Sequence, residues 1–162
     1  MKVSFSFLIF RRVFLPVFAL ILACQQANAD LVPFGAEWRY LDNGVLPQAG
    51  WQNSSFNDNA WSSGQGQFGY GDGDEATVVG YGADSRSKPI TTYFRHQFDV
   101  AVLPADPLRL SVQRDAGVVV YLNGEEIFRD NLPGGAITSN TRALTPIHGP
   151  VSYTHLTLPT KA

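Results

Sequence analysis

No apolar stripe of helical period persists for as much as ten residues anywhere between residues 30 and 150. Alternation and β-branched or aromatic runs take its place, so the segment is predicted to fold from strands. Residues 34–41 (FGAEWRYL) alternate and predict a first strand. Residues 91–100 (TTYFRHQFDV) set Tyr93, Arg95, Gln97 and Asp99 on one face and Thr92, Phe94, His96, Phe98 and Val100 on the other. Phe94 and Phe98 mark the second face as the buried one. Residues 108–114 (LRLSVQR) are expected to bury Leu108, Leu110 and Val112 and to expose Arg109, Ser111, Gln113 and Arg114. Residues 118–122 (VVVYL) form a continuous apolar run, as in a strand covered on both faces.

Asn123-Gly124 comes directly after that run. A type I′ turn needs positive φ at both central residues, which Asn and Gly tolerate best. A hairpin of 118–122 with 126–129 is therefore expected. Asp115-Ala116-Gly117 supplies the turn before it, which would make 108–114 the antiparallel neighbour in a three-stranded meander. Short strands joined by Gly- and Pro-bearing turns predict an all-β sandwich or barrel. Charged residues are only 16% of the chain, below the roughly 25% of an average globular protein, which argues against a coiled coil or a charged bundle.

Two stretches read mostly as loop. Residues 42–61 carry Trp51 and Trp61 with polar residues between them, and a single turn is expected near 54–59. Residues 62–88 are rich in glycine, including Gly69, Gly71 and Gly73. Long loops in compact domains are usually functional or mobile.

The ends are read separately. Lys2, Arg11 and Arg12 precede an apolar run over 13–23, and Ala27-Asn28-Ala29 forms an A-x-A cleavage site. Residues 1–29 are thus expected to be a signal peptide, and the protein secreted or periplasmic. The run is too short to span a bilayer, and lengthening it toward the N-terminus would bury Arg11 and Arg12. No membrane span is expected in the mature chain. Ordinary export is favoured over the twin-arginine route that Arg11-Arg12 suggests. Cys24, the only cysteine, sits in a lipobox-like setting, and lipid anchoring there is the weaker alternative. At the other end, residues 151–160 (VSYTHLTLPT) back-translate to a string that resembles the end of a transposase sequencing adapter. Residues 151–162 are accordingly expected to be a non-native tail without pairing to the sandwich, and 30–150 an incomplete module with an uncovered strand edge. That module holds all 14 acidic residues and 8 basic ones, a net charge of −6. Nucleic acid is excluded as a partner on that balance.

A resemblance adds to this reading. The residues that carry it are Trp38-x-Tyr40-x-Asp42-x-Gly44, Trp51, Phe56-x-Asp58-x-x-Trp61-x-x-Gly64, Phe68-Gly69-Tyr70-Gly71, Thr92-Tyr93-Phe94-Arg95-x-x-Phe98 and the run from Arg114 through Asn123-Gly124 to Arg129. Together they resemble galactose-binding-like jelly-roll modules of secreted bacterial proteins, which often stand beside a calcineurin-like metallophosphoesterase or another extracellular domain. The resemblance implies a jelly-roll β-sandwich. It also implies an accessory role without catalysis in this segment, either binding carbohydrate or packing on a neighbouring domain. Two other readings stay open. The chain is the N-terminal piece of an extracellular hydrolase, most plausibly a metallophosphoesterase, or it is a structural surface protein. Related modules use paired aspartates before the meander turn for calcium, and here the pair reads Arg114-Asp115.

The candidate site residues are few. No nucleophile stands beside a candidate base, and no catalytic residue is assigned. Tyr70 and Tyr81 in the Gly-rich loop, with Trp51, are the candidate platforms for a sugar ring, whereas Trp38 and Trp61 read as core. Asp72, Asp74 and Glu75 form an acidic loop, and calcium is the one metal such oxygen donors would take; a solvated loop is the favoured alternative. His96 reads as a hydrogen-bonded core residue. Arg95, Arg114 and Arg129 are expected to pair with carboxylates on polar faces, each adding little stability.

Overall fold

The computed structural model describes residues 30–71, 73–82, 84, 86–101, 108–114 and 116–146, and the backbone alone of 151–158. Among these residues the regular structure is all β, with no helix. β1 (Glu37–Leu41) lies between β2 (Ser62–Gln65) and β5 (Tyr93–Arg95), antiparallel to both. β3 (Phe68–Gly69) and β4 (Thr77–Val78) make a short parallel pair. β7 (Val118–Leu122) and β8 (Glu125–Asp130) form an antiparallel pair, and so do β6 (Leu108–Arg114) and β9 (Val151–Leu158).

The hairpin forms where Asn123-Gly124 places it. Leu122 pairs with Glu125, and Asn123 and Gly124 take φ values of 51° and 92°. Both are positive, as a type I′ turn demands. A side chain at Gly124 would also run into the Asn53 carboxamide, so the hairpin tip is seated on the 51–61 loop. Replacing Gly124 with valine is expected to cost about 1–3 kcal/mol, because a β-branched residue resists this backbone conformation. Thermal denaturation of the variant checks it, and an unchanged midpoint would contradict the turn.

Several expectations are corrected. The first strand starts at Glu37 rather than at Phe34, because a turn closes from the Ala36 N–H to the Pro33 carbonyl (3.0 Å) with Gly35 at positive φ. Three short strands, β2, β3 and β4, arise in the stretch read mostly as loop. The meander is not formed. The ladder partner of β6 is β9, and that of β7 is β8. The expectation that 151–158 stays unpaired is thereby overturned. Seven register pairs join it to β6, from Leu108–Leu158 to Arg114–Val151. A run of Val, Tyr, Thr and Leu has strand propensity whatever its origin, and an open edge supplies the N–H and C=O groups to pair with. β7 is half-buried at all five positions rather than covered on both faces.

The faces of 91–100 are partly reversed. Tyr93 and Arg95 are buried, at 5% and 8% exposure, while Phe94 is exposed at 36%. Phe94 packs on Phe68, centroids 4.9 Å apart, and Phe68 on Tyr40 at 5.5 Å. Beyond Arg95 the expected phase holds: His96, Phe98 and Val100 are half-buried, and Gln97 and Asp99 exposed. The regular strand ends at Arg95, and the pleat slips there by one residue.

What pulls Arg95 inside is the Trp-rich loop. Its Nε donates to Asp58 Oδ2 at 2.8 Å, and its Nη1 donates to the carbonyls of Trp51 and Asn53. The guanidinium also lies 5.2 Å from the centre of the Phe56 ring. A buried cation is tolerable only when paired and hydrogen-bonded, and the loop provides both. The loop is a chain of turns: Trp51 N–H to Gln48 O, Asn53 N–H to Gly50 O, Phe56 N–H to Asn53 O and Trp61 N–H to Asp58 O, at 2.9–3.2 Å.

The apolar interior has two centres. Leu108 is packed by Leu31, Phe98, Val100, Leu110, Leu122 and Ile127. The aromatic centre is Trp51, which meets Tyr93 edge-on at 5.2 Å, Tyr121 edge-on at 5.7 Å and Trp61 at 6.4 Å. Burial pushes the Tyr93 phenol above its ordinary pKa, and the neighbouring Tyr121 adds to this. Tyr121 rises chiefly through burial as well. Both phenols are therefore held neutral in the fold, and their contribution to stability is lost as pH climbs past the tyrosine range.

Candidate functional site

The Gly-rich segment builds the most distinctive surface feature. β3 and β4 run parallel although only a short acidic loop joins them, and Gly71 and Gly73 turn that loop at φ values of 111° and 80°. The Thr77 N–H donates to the Gln67 carbonyl and the Val79 N–H to the Gly69 carbonyl, each at 3.0 Å. The Thr77 hydroxyl reaches the Gln65 carbonyl at 2.7 Å, tying the pair to β2. Tyr70 leaves the end of β3. Val79, 5% exposed, plugs the chain into the interior just after β4. The Gly80 N–H then donates to Asp42 Oδ2 at 2.5 Å, which fixes the backbone one residue before Tyr81.

These constraints bring Tyr70 and Tyr81 together. Their ring centroids are 5.2 Å apart with a 55° interplanar angle, and both side chains stay open to solvent, at 39% and 40% exposure. An Asx turn at Asp84 reverses the chain beyond them. Asp84 Oδ1 accepts the Arg86 N–H at 2.8 Å, and the Asp84 carbonyl accepts the Ser87 N–H at 3.0 Å. The returning chain sets the Lys88 ammonium 4.4 Å from the Tyr70 ring centre and 4.9 Å from that of Tyr81. Two aromatic faces and one cation are thus presented on a surface held by backbone hydrogen bonds.

The third candidate platform, Trp51, lies elsewhere. It is half-buried in the aromatic centre, with no ring contact to Tyr70 or Tyr81. Of the acidic loop, Asp72 falls outside the described residues. Glu75 folds back, its Oε2 accepting the Gly73 N–H at 2.9 Å, and Asp74 is exposed. Among the described residues no group of three His, Cys, Asp or Glu side chains is placed to hold a metal ion.

A concavity of about 230 Å³ opens elsewhere, beside β1 and β5, lined by residues 37–39, Asp58 and residues 95–97. Its polar groups are largely committed to the fold. Arg95 holds Asp58, the His96 Nδ1–H donates to the Glu37 carbonyl at 2.7 Å, and Gln97 donates to the Ser54 carbonyl at 3.1 Å. His96 also packs on Trp38 and Phe98 at 5.0 and 5.8 Å, in keeping with its reading as a hydrogen-bonded core residue.

The expected arginine–carboxylate pairs form. Arg95 pairs with Asp58, Arg114 with Asp130, and Arg129 with both carboxylate oxygens of Glu126 at 2.6 and 2.7 Å. Hydrogen bonding from Arg129 holds the Glu126 carboxyl below its ordinary pKa. That contribution is present above the usual glutamate range and fades as pH falls through the depressed value. The Arg95 and Arg114 side chains depart from expectation in being buried, each at 7% exposure, and Ser111, also expected to be exposed, is half-buried. Lys88 is the residue that sequence reasoning passed over, and for Arg95 it foresaw the pair but not the burial. The available signal for Lys88 was its singularity, as no other lysine stands between Lys2 and Lys161.

No family, curated protein or solved structure matches the chain. No helix among the described residues is long and apolar enough to cross a membrane.

Proposed function

We propose that this chain is an exported, non-catalytic β-sandwich module of the jelly-roll type, which binds carbohydrate on the Tyr70–Tyr81 pair. The single observation that supports the binding role is the meeting of two solvent-open tyrosine rings, 5.2 Å apart, on a braced loop. Large aromatic side chains are normally used to bury area. Here two of them keep about two-fifths of their surface in water while the backbone beneath is fixed by Asp42 and by the β3–β4 bonds. Sugar rings carry apolar C–H faces that suit such planes. Export rests on the leader-like residues 1–29, and the jelly-roll assignment on the motif resemblance together with the all-β structure.

Packing on a neighbouring domain is the second reading. It is favoured by the exposure of Phe34 (76%), Val45 (61%) and Leu46 (52%).

Affinity electrophoresis through gels loaded with soluble polysaccharides tests the first reading. The chain is expected to be retarded by at least one galactose- or galacturonate-based polymer, and Tyr70→Ala and Tyr81→Ala should each weaken retardation about tenfold, the scale of one lost stacking contact. Retardation that both variants retain would contradict the site.

A further inference from the structure

We infer that the Tyr70–Tyr81 surface selects sugars bearing an anionic group, and that Lys88 is the residue that reads the charge. The inference rests on the carbohydrate reading above. A lysine on an exposed loop ordinarily samples many rotamers, because its ammonium is a hydrated point charge on a flexible stem. Lys88 is exposed, yet its ammonium is held near the faces of two rings, at 4.4 and 4.9 Å. Attraction to both rings restricts it, and a charge that is already placed loses less freedom when a ligand arrives.

Lys88 forms no ion pair with a carboxylate among the described residues. Two described carboxylates of the Gly-rich segment are turned toward their own backbone: Asp84 caps the Arg86 N–H, and Glu75 takes the Gly73 N–H. A ring attracts an ammonium through its π face without consuming the directional donors, so N–H groups remain for an incoming anion.

The surrounding charge narrows the ligand class. Residues 30–150 carry a net charge of −6, so this segment as a whole repels a polyanion, and Lys88 with Arg86 two positions before it is a small cationic group rather than a broad basic patch. Charge alone would not retain a ligand here. A ligand that also lays an apolar face on tyrosine would be retained. That combination describes a sugar ring carrying a carboxylate or a sulfate ester. A neutral sugar would use the rings and leave the ammonium unused.

Calorimetric titration of the chain with galacturonan, a sulfated galactan and neutral galactan tests this, using wild type and Lys88→Gln. Galacturonan is expected to bind about fivefold more tightly per site than neutral galactan, the upper end of what an exposed ion pair contributes. Lys88→Gln should erase that difference, so that charged and neutral polymers bind the variant equally. Raising the salt concentration should shrink the difference in wild type alone. A matching gain for sulfated galactan assigns the preference to charge; a gain for galacturonan alone assigns it to the carboxylate. Equal affinity for charged and neutral polymers, or a preference that survives Lys88→Gln, overturns the inference and leaves the carbohydrate reading standing. Failure of all three polymers to bind overturns both. Near-UV circular dichroism of Lys88→Gln, matched to wild type, excludes loss of fold as the cause of any change.

Discussion

Trp51→Ala is expected to destabilise the fold by about 4 kcal/mol, within the range for removing a large aromatic from a packed site. Trp51 stands where the rings of Tyr93, Tyr121 and Trp61 converge, and its carbonyl accepts from the Arg95 guanidinium. Aromatic pairs add about 0.5–1.5 kcal/mol each beyond the area they bury. A domain of this size holds only about 5–15 kcal/mol in all, so the loss is a large share of the total. Urea denaturation of wild type and variant checks it. The experiment also separates two roles. A platform that serves only a ligand could be truncated with little effect on the midpoint, and an unchanged midpoint would restore Trp51 as a ligand-binding candidate.

Asp58→Ala is expected to cost about 3 kcal/mol, the lower end of the range for removing one partner from a buried ion pair. The side chains of Arg95 and Asp58 retain 7% and 14% of their exposure. Without Asp58 the guanidinium keeps the carbonyls of Trp51 and Asn53 but no counter-charge. Asp58→Asn retains a hydrogen-bond acceptor and should cost less. Replacing both residues, Arg95→Met with Asp58→Ala, should cost less than the sum of the two single changes, since the buried cation is gone. Additive losses in that cycle would show that the pair does not organise the loop.

Sequence patterning went furthest where one local rule acts alone. Asn123-Gly124 specifies its turn through φ preferences that no distant contact alters, and the hairpin forms accordingly. The span of β6 likewise comes from alternation. Patterning failed where a polar side chain finds its partner far along the chain. Arg95 reads as a solvent-facing residue until Asp58, 37 positions earlier, is folded against it. Once the guanidinium turns inward, Tyr93 goes in with it and Phe94 is left outside. The same limit applies to strand pairing. Asp115-Ala116-Gly117 suggested a meander, but β6 takes β9 as its ladder partner instead. A turn-like tripeptide permits reversal of the chain and does not choose a partner.

The site was legible in part. Tyr70 and Tyr81 were distinguishable because glycines flank both, which leaves a large ring little local packing. Their meeting was not legible, since it depends on the parallel β3–β4 pair and on the Asp42–Gly80 bond between distant residues. Lys88 arrives over the rings only because Asp84 reverses the chain.

Side-chain resonances tracked by NMR during titration with galactan and galacturonan fragments test the central claim most directly. The ring signals of Tyr70 and Tyr81 should move with ligand, while the indole N–H signals of Trp38, Trp51 and Trp61 hold their positions. Movement of the Trp51 indole with the tyrosine rings unmoved, or no movement of any ring at saturating ligand, would contradict the claim.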